Sequence, residues 1–146
     1  MRTLVVYDSI YGNTEKIAEA IGGAVTGEAR VARGGELNPT QLGQVDLLIV
    51  GSPTQGGRPT QPVQDFLAGI PATAIKGVKV AAFDTRYAGK FVKVFGFAAE
   101  KIASSLETKG GTLVLPPEGF FVTGKKGPIK DGELERAVSW AREIAK

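Results

Sequence analysis

The sequence predicts an α/β fold, a three-layer αβα sandwich around a five-stranded parallel sheet. Short apolar runs rich in β-branched residues, of the kind that parallel sheets bury, alternate with stretches of helical periodicity. The alternation continues through all 146 residues without an internal repeat or a linker. Right-handed crossovers between parallel strands then place helices on both faces of the sheet. We therefore expect one domain covering residues 1–146.

The elements follow one another in chain order. Predicted strands cover residues 4–7, 28–32, 47–50, 78–83 and 112–115, and residues 120–122 continue the last strand after two prolines. Predicted helices begin at residue 15, at about residue 90 and at residue 133, and a short helix covers residues 40–42. The two long C-terminal helices are expected to end at residues 108 and 145. Trp140, on the last helix, is expected to pack in the core.

The first strand leads into a turn rich in hydroxyl groups, residues 9–14, and then into a helix. This geometry directs backbone N–H groups and the positive end of a helix dipole toward one point, which suits an anion. The turn has no lysine, as a Walker loop requires, and one glycine where the dinucleotide fingerprint has three. Its neutral side-chain donors suit a phosphate monoester held without a counter-cation. The alternative is an ordinary turn in which Asn13 or Thr14 caps the helix.

This turn resembles the FMN phosphate loop of the flavodoxin family. Ser9, Gly12, Asn13 and Thr14 fit the family pattern, and Tyr11 replaces its middle threonine but keeps a hydroxyl. The run Tyr-Asp-Ser-Ile-Tyr-Gly-Asn-Thr-Glu-Lys is most similar to the flavodoxin domain of the di-iron flavoproteins. A chain without histidine cannot supply the di-iron ligand set itself. The resemblance covers the whole chain and implies a flavodoxin-like domain with FMN as its cofactor.

Two further loops should reach the same rim of the sheet. With strand order 2-1-3-4-5, ligands bind beyond the carboxyl ends of the first and third strands, where the order reverses. Residues 51–59 begin Gly-Ser-Pro-Thr, as the equivalent flavodoxin loop does. The resemblance implies that Pro53 and Thr54 flank the ribityl chain and that Gln55 and the following glycines approach the ring. Without that context, the glycines and prolines are equally consistent with a wide turn.

The third loop, residues 84–89, follows the fourth strand. Tyr87 is a candidate stacking platform for the flavin ring, and a surface tyrosine is the alternative. Asp84 either lines the site through its backbone or caps the following helix. The predicted cofactor-binding residues are Ser9, Ile10, Tyr11, Gly12, Asn13, Thr14, Pro53, Thr54, Gln55, Gly56, Gly57, Asp84, Thr85, Arg86, Tyr87 and Gly89.

Composition narrows the possible functions. The absence of cysteine and histidine removes disulfides, thiolate nucleophiles and the commonest general base and metal ligand. No apolar run approaches the roughly 20 residues of a spanning helix, and the first strand begins without an export signal, so we expect a cytoplasmic protein. The chain has a net charge of +3 but no run of basic residues with interleaved aromatic residues, which argues against binding to nucleic acid. Lys125, Lys126 and Lys130 are interpreted as a solvated loop.

The resemblance implies a carrier that shuttles one or two electrons between redox proteins. Arg58, Arg86, Lys90 and Lys93 lie on or beside the two ring-side loops. We expect their charges to favour the anionic reduced flavin and to select an acidic redox partner.

Two other functions occur on the same fold. An NAD(P)H-dependent quinone or flavin reductase is the alternative to a carrier, although the chain lacks the long insertions that some of those enzymes carry. A phospho-receiver domain is excluded, because Gly51-Ser52 stands where an aspartate should end the third strand.

Overall fold

A computed structural model describes residues 1–87 and 96–146. The strands are β1 (Arg2–Tyr7), β2 (Glu28–Arg33), β3 (Leu47–Pro53), β4 (Lys79–Tyr87), β5 (Thr112–Leu113) and β6 (Glu118–Val122). The helices are α1 (Asn13–Ala24), α2 (Gln61–Gly69), α3 (Ala98–Thr108) and α4 (Glu133–Ile144). Two short 3-10 helices, Gly34–Glu36 and Pro39–Gln41, connect β2 to β3.

The sheet is parallel, with strand order β2-β1-β3-β4-β5, as predicted. The predicted fifth strand exists as two pieces on the same edge of β4. β5 pairs with the start of β4 at Lys79 and Val80, and β6 pairs with its end from Phe83 to Tyr87. The interruption falls around Pro116-Pro117, because proline has no N–H to donate to a ladder.

Apolar side chains fill both faces of the sheet. Along β3, Leu48 and Val50 belong to the core beneath α2 and α3, whereas Leu47 and Ile49 belong to the core beneath α1 and α4. Successive strand residues point to opposite faces, so a continuous apolar run serves both cores. Trp140 packs edge-on against the rings of two buried phenylalanines, at centroid distances of 6.1 and 5.8 Å, which confirms its predicted packing role.

Two strands extend further than predicted, toward the rim where their loops begin. β3 continues to Pro53 and β4 to Tyr87, because Pro53 still pairs with Thr85 and Tyr87 with Val122. The first part of the predicted loop 84–89 is therefore strand. Along the extension of β4, Asp84 and Thr85 are buried, Arg86 is half-buried and Tyr87 is exposed.

The helices differ from prediction in two places. The helix expected from about residue 90 begins at Ala98, because Gly96 has a φ of 78° and Phe97 is extended; residues 90–95 lie outside the described residues. Helix α2 was missed. Its signature is present in the sequence, with a proline in the first turn and Val63, Phe66 and Leu67 at helical spacing on the buried face.

Candidate functional site

A cavity of about 340 Å³ opens where β1, β3 and β4 end. That volume falls within the roughly 300–1,000 Å³ typical of small-molecule sites. The lining residues are Ser9, Ile10, Tyr11, Asn13, Thr14, Pro53, Thr54, Gln55, Gly56, Thr85, Tyr87, Val122 and Lys125. The three loops that the sequence places on one rim therefore do meet at one cavity.

The lining also differs from the predicted set. Four predicted residues do not line the cavity, namely Gly12, Gly57, Asp84 and Arg86, and Gly89 lies outside the described residues. Two lining residues were missed, Val122 and Lys125. Ligands in such folds bind beyond the carboxyl ends of the strands, and the fifth strand also ends at this rim. Applying that rule to the fifth strand could have identified both residues.

The first loop ends in a helix whose N-terminus has no side-chain cap. The N-cap residue is Gly12, with a φ of 89°, a left-handed conformation that favours glycine. Its N–H donates to Ser9 Oγ at 3.0 Å, and its carbonyl accepts the first helical bond from Lys16. The alternative, in which Asn13 or Thr14 caps α1, is therefore wrong. In the described part of the chain, no side chain accepts from the first-turn N–H groups as a cap.

Two polar contacts join α1 to its neighbours at the cavity. The hydroxyls of Thr14 and Thr85 lie 2.7 Å apart in a buried hydrogen bond between α1 and β4. Asn13 Nδ2 donates to the carbonyl of Lys126 at 3.2 Å, which attaches the loop after β6 to the start of the helix. Both contacts use neutral groups, and Asn13, Thr14 and Thr85 line the cavity.

Carboxylates beside the first loop are paired within the protein. Tyr7 donates its hydroxyl to Glu15 Oε2 at 2.7 Å, and Arg33 on β2 lies 3.3 Å from Glu15 and 3.5 Å from Asp8. Arg33 also donates to the Ser9 carbonyl at 3.1 Å. Burial, with the Glu15 hydrogen bond adding, raises the pKa of Tyr7 to about 12, so its hydroxyl stays a donor. Glu15 is thereby held away from capping α1.

The second loop contains a tight two-residue turn. The backbones of Gln55 and Arg58 exchange hydrogen bonds of 2.8 and 2.9 Å, and Gly56 and Gly57 between them have φ angles of 56° and 79°. A turn with positive φ at both central positions requires glycine or asparagine there. The glycines thus serve a tight turn, not a wide one. The N–H of Thr54 donates to the Thr85 carbonyl at 3.0 Å and attaches the loop to β4.

In the third loop, Asp84 caps a helix rather than facing the cavity. Its fully buried carboxylate accepts the Ala99 N–H at 2.9 Å, at the N-terminus of α3. Arg86 forms a two-pronged ion pair with it, at 2.7 and 2.8 Å, and stacks over the Phe97 ring. Burial raises the pKa of Asp84, and Arg86 opposes that rise. Of the two predicted roles for Asp84, the side chain has the capping one.

The predicted influence of basic residues on the flavin ring loses its main support here. Arg86 pairs with Asp84, and neither Arg86 nor Arg58 lines the cavity. Lys90 and Lys93 lie outside the described residues.

Within residues 1–87 and 96–146 there is no group of three or more His, Cys, Asp or Glu side chains placed to hold a metal ion. None of the described helices is long and apolar enough to cross a membrane.

The family model for flavodoxin matches residues 5–140. The chain belongs to the flavodoxin family. The family implies an electron carrier with a flavin cofactor, typically FMN, and redox proteins as its partners. A search of curated protein sequences finds no significant match.

Solved flavodoxin structures share the fold over nearly the whole chain. A flavodoxin from the domain Archaea is 25% identical with a TM-score of 0.83, and the alignment covers 99% of this chain and 96% of that one. Flavodoxin 1 from Bacillus cereus is 22% identical with a TM-score of 0.80, covering 99% and 97%. Rubredoxin oxygen:oxidoreductase from Desulfovibrio gigas is 20% identical with a TM-score of 0.75, and the alignment covers 99% of this chain and 35% of that one.

Proposed function

We propose that this flavodoxin, as a single domain over residues 1–146, binds FMN in the cavity at the ends of β1, β3 and β4 and carries electrons between redox proteins. The observation that carries the proposal is the uncapped N-terminus of α1, which lies at the same cavity as the exposed Tyr87 ring. The bound flavin would take up and release one or two electrons, and the protein would bind and orient it.

The phosphate of FMN would lie at the start of α1. First-turn N–H groups and the helix dipole favour an anion there. The hydroxyls of Ser9, Thr14 and Thr85 and the amide of Asn13 add neutral donors at the cavity wall. All four of these side chains already make hydrogen bonds that fix their positions, which lowers the ordering cost of binding. Ile10 and Tyr11 complete this end of the cavity.

The flavin ring would lie toward the second and third loops. Tyr87 is the last residue of β4 and is 49% exposed, although its backbone is held in register with Val122. A fixed and exposed aromatic ring is suited to stacking on a flat ligand. Pro53 and Thr54 would flank the ribityl chain, and the turn at Gln55 and Gly56 would approach the ring.

The partner is expected to be an acidic redox protein. Residues 74–146 carry thirteen basic and eight acidic residues, a net charge of +5. Arg58, Lys101 and Lys109 lie in one groove between α2 and α3, beside the turn that forms a wall of the cavity. Complementary charge would orient an acidic partner toward this side and make electron transfer slower at high salt.

The first test compares FMN with riboflavin, which lacks the phosphate. The purified protein should take up FMN, turn yellow and quench its fluorescence, and its affinity for riboflavin should be at least about tenfold lower, because the phosphate contacts are lost. Tyr87→Ala should weaken both ligands by about the same factor, roughly fivefold, while Tyr87→Phe should leave both unchanged. No uptake of FMN, or equal affinity for the two flavins, contradicts the proposal.

A second measurement separates a carrier from a reductase. The FMN-loaded protein is mixed anaerobically with NADPH, and its visible absorption is followed. We expect no rapid bleaching, because a carrier receives electrons from a protein partner. Rapid bleaching would identify the NAD(P)H-dependent quinone or flavin reductase that the sequence leaves as the alternative.

A further inference from the structure

We infer that Lys125 is a cationic ligand of the phosphate group, supplied by the loop after β6. This inference rests on the proposed function and goes beyond it, because the sequence pattern of the first loop predicts a phosphate held by neutral donors alone. It assigns a binding role to a residue outside the three loops that the family resemblance identifies.

The loop that carries Lys125 is a closed hairpin at the cavity. Thr123 N–H donates to the Pro128 carbonyl at 2.8 Å, and Lys130 N–H donates to the Phe121 carbonyl at 3.0 Å. These bonds close the loop directly after β6, whose last residue, Val122, lines the cavity. The tip of the hairpin, which includes Lys125, therefore has a defined position at the rim.

The tip of this hairpin is attached to the first turn of α1. Asn13 Nδ2 donates to the Lys126 carbonyl at 3.2 Å. Gly127 approaches the same side chain so closely that a Cβ atom there would lie 2.6 Å from Asn13, and its φ of 98° also favours glycine. Lys125 is thus one residue from a contact with the helix end where the phosphate is proposed to bind. Because Lys125 also lines the cavity, its side chain starts beside this helix end and is placed to meet a phosphate bound there.

The charges around the cavity leave this ammonium available. Lys125 is the one formally charged residue among the described lining residues of the cavity. It is exposed and forms no ion pair within residues 1–87 and 96–146. The two carboxylates that flank the first loop in sequence, Asp8 and Glu15, are paired with Arg33. A phosphate monoester would therefore be the anion that Lys125 meets at this rim.

The test uses charge-neutralising variants of two adjacent lysines, Lys125→Gln and Lys126→Gln, in the full chain. Lys126 is the matched control, because it lies in the same hairpin and its side chain does not line the cavity. Affinities for FMN and for riboflavin are measured by fluorescence quenching at low and high NaCl. For Lys125→Gln we expect about fivefold weaker FMN binding at low salt, the upper size of an exposed ion pair, with riboflavin binding unchanged and a smaller salt dependence.

The outcomes separate the two proposals. Loss of FMN affinity in Lys125→Gln alone supports the inference. Equal losses for FMN and riboflavin would place the ammonium at the ring, and equal effects of the two variants would indicate general surface charge; either result overturns it. Wild-type protein that binds FMN while Lys125→Gln binds it equally well refutes the inference but leaves the proposed function standing. Wild-type protein that takes up no FMN refutes both.

Discussion

Helices α1 and α3 begin near the same rim of the sheet, but their N-terminal N–H groups differ in whether side chains of the protein accept hydrogen bonds from them. At α3, the protein supplies the anion itself, since the buried Asp84 carboxylate accepts the Ala99 N–H and Thr54 Oγ1 accepts the Ala98 N–H. At α1, the N-cap is Gly12, which has no side chain, and none of the side chains that the structure describes caps this helix. Both helix ends attract negative charge.

The difference indicates what each helix end is for. The first N–H groups of α3 find their acceptors inside the fold, and Arg86 neutralises the Asp84 carboxylate that is one of those acceptors. The end of α1 leaves its N–H donors available to the proposed ligand, and the acidic residue in its first turn, Glu15, is bonded to Tyr7 and Arg33 instead. Mutations near α3 should therefore change mainly the stability, whereas mutations near α1 should change mainly the binding of a phosphate.

The largest effect is expected from Arg86→Met. Loss of the guanidinium leaves the Asp84 carboxylate, which is 0% exposed, without its partner and should lower the free energy of unfolding by about 3 kcal/mol at pH 7. The pKa of Asp84 should then rise further above its ordinary value of 3.8. Because a carboxyl group with a raised pKa is protonated more readily in the folded state, the stability of the variant should fall as the pH rises above that value.

Urea denaturation of the apoprotein between pH 4 and pH 7 measures this effect. Arg58→Met removes the same charge from an exposed position and should change the stability by no more than about 0.5 kcal/mol. Equal stability of Arg86→Met and wild type would show that α3 does not depend on an internal ion pair.

A second, smaller effect is expected at Glu133, the first residue of α4, whose N-cap is a left-handed glycine like that of α1. Glu133 accepts the Phe121 N–H at 2.7 Å and pairs with Arg136 at 2.7 Å. The hydrogen bond from Arg136 lowers the pKa of Glu133 below its ordinary value of 4.5. Glu133→Gln should cost about 2 kcal/mol at pH 7.

The sign of the pH dependence follows from the lowered pKa. The stabilisation by Glu133 is complete above pH 4.5 and is lost as the pH falls through the pKa of the folded state. The difference between Glu133→Gln and wild type should therefore shrink in denaturation curves as the pH is lowered below 4.5. Glu135→Gln, at an exposed position in the same turn, is the control. A difference that does not depend on pH would argue against the ion pair.

The smallest predicted effect comes from making α1 resemble α3. Asn13→Asp places a carboxylate at the helix end, where it should stabilise the apoprotein by about 0.5 kcal/mol and repel a phosphate. FMN affinity should fall about tenfold and riboflavin affinity much less. Asn13→Ala, which also loses the contact with Lys126 but adds no charge, separates the two causes in the same titrations. Similar losses in both variants would mean that charge at this helix end is unimportant.

Local patterns in the sequence predict most of the fold and carry the signature of α2, which was missed. Contacts distant in sequence explain the site residues that were missed or assigned a different role. The run Leu-Leu-Ile-Val at residues 47–50 predicts a buried central strand because every residue in it is apolar. The capping role of Asp84 depends on Ala99, fifteen residues further along the chain. The position of Lys125 depends on a hairpin joined to Asn13 across 113 residues. No local periodicity encodes such pairings, so the sequence identifies the three loops but not the fourth.

The interruption of the fifth strand has a consequence for association between molecules. An unbroken edge strand offers a row of free backbone groups on which another chain can extend the sheet. Here that edge is divided into a two-residue and a five-residue piece by the segment containing Pro116-Pro117. The opposite edge, β2, carries the charged side chains Glu28, Arg30 and Arg33. Neither edge is a good template for intermolecular β-sheet, so the protein should resist aggregation through its sheet edges when concentrated.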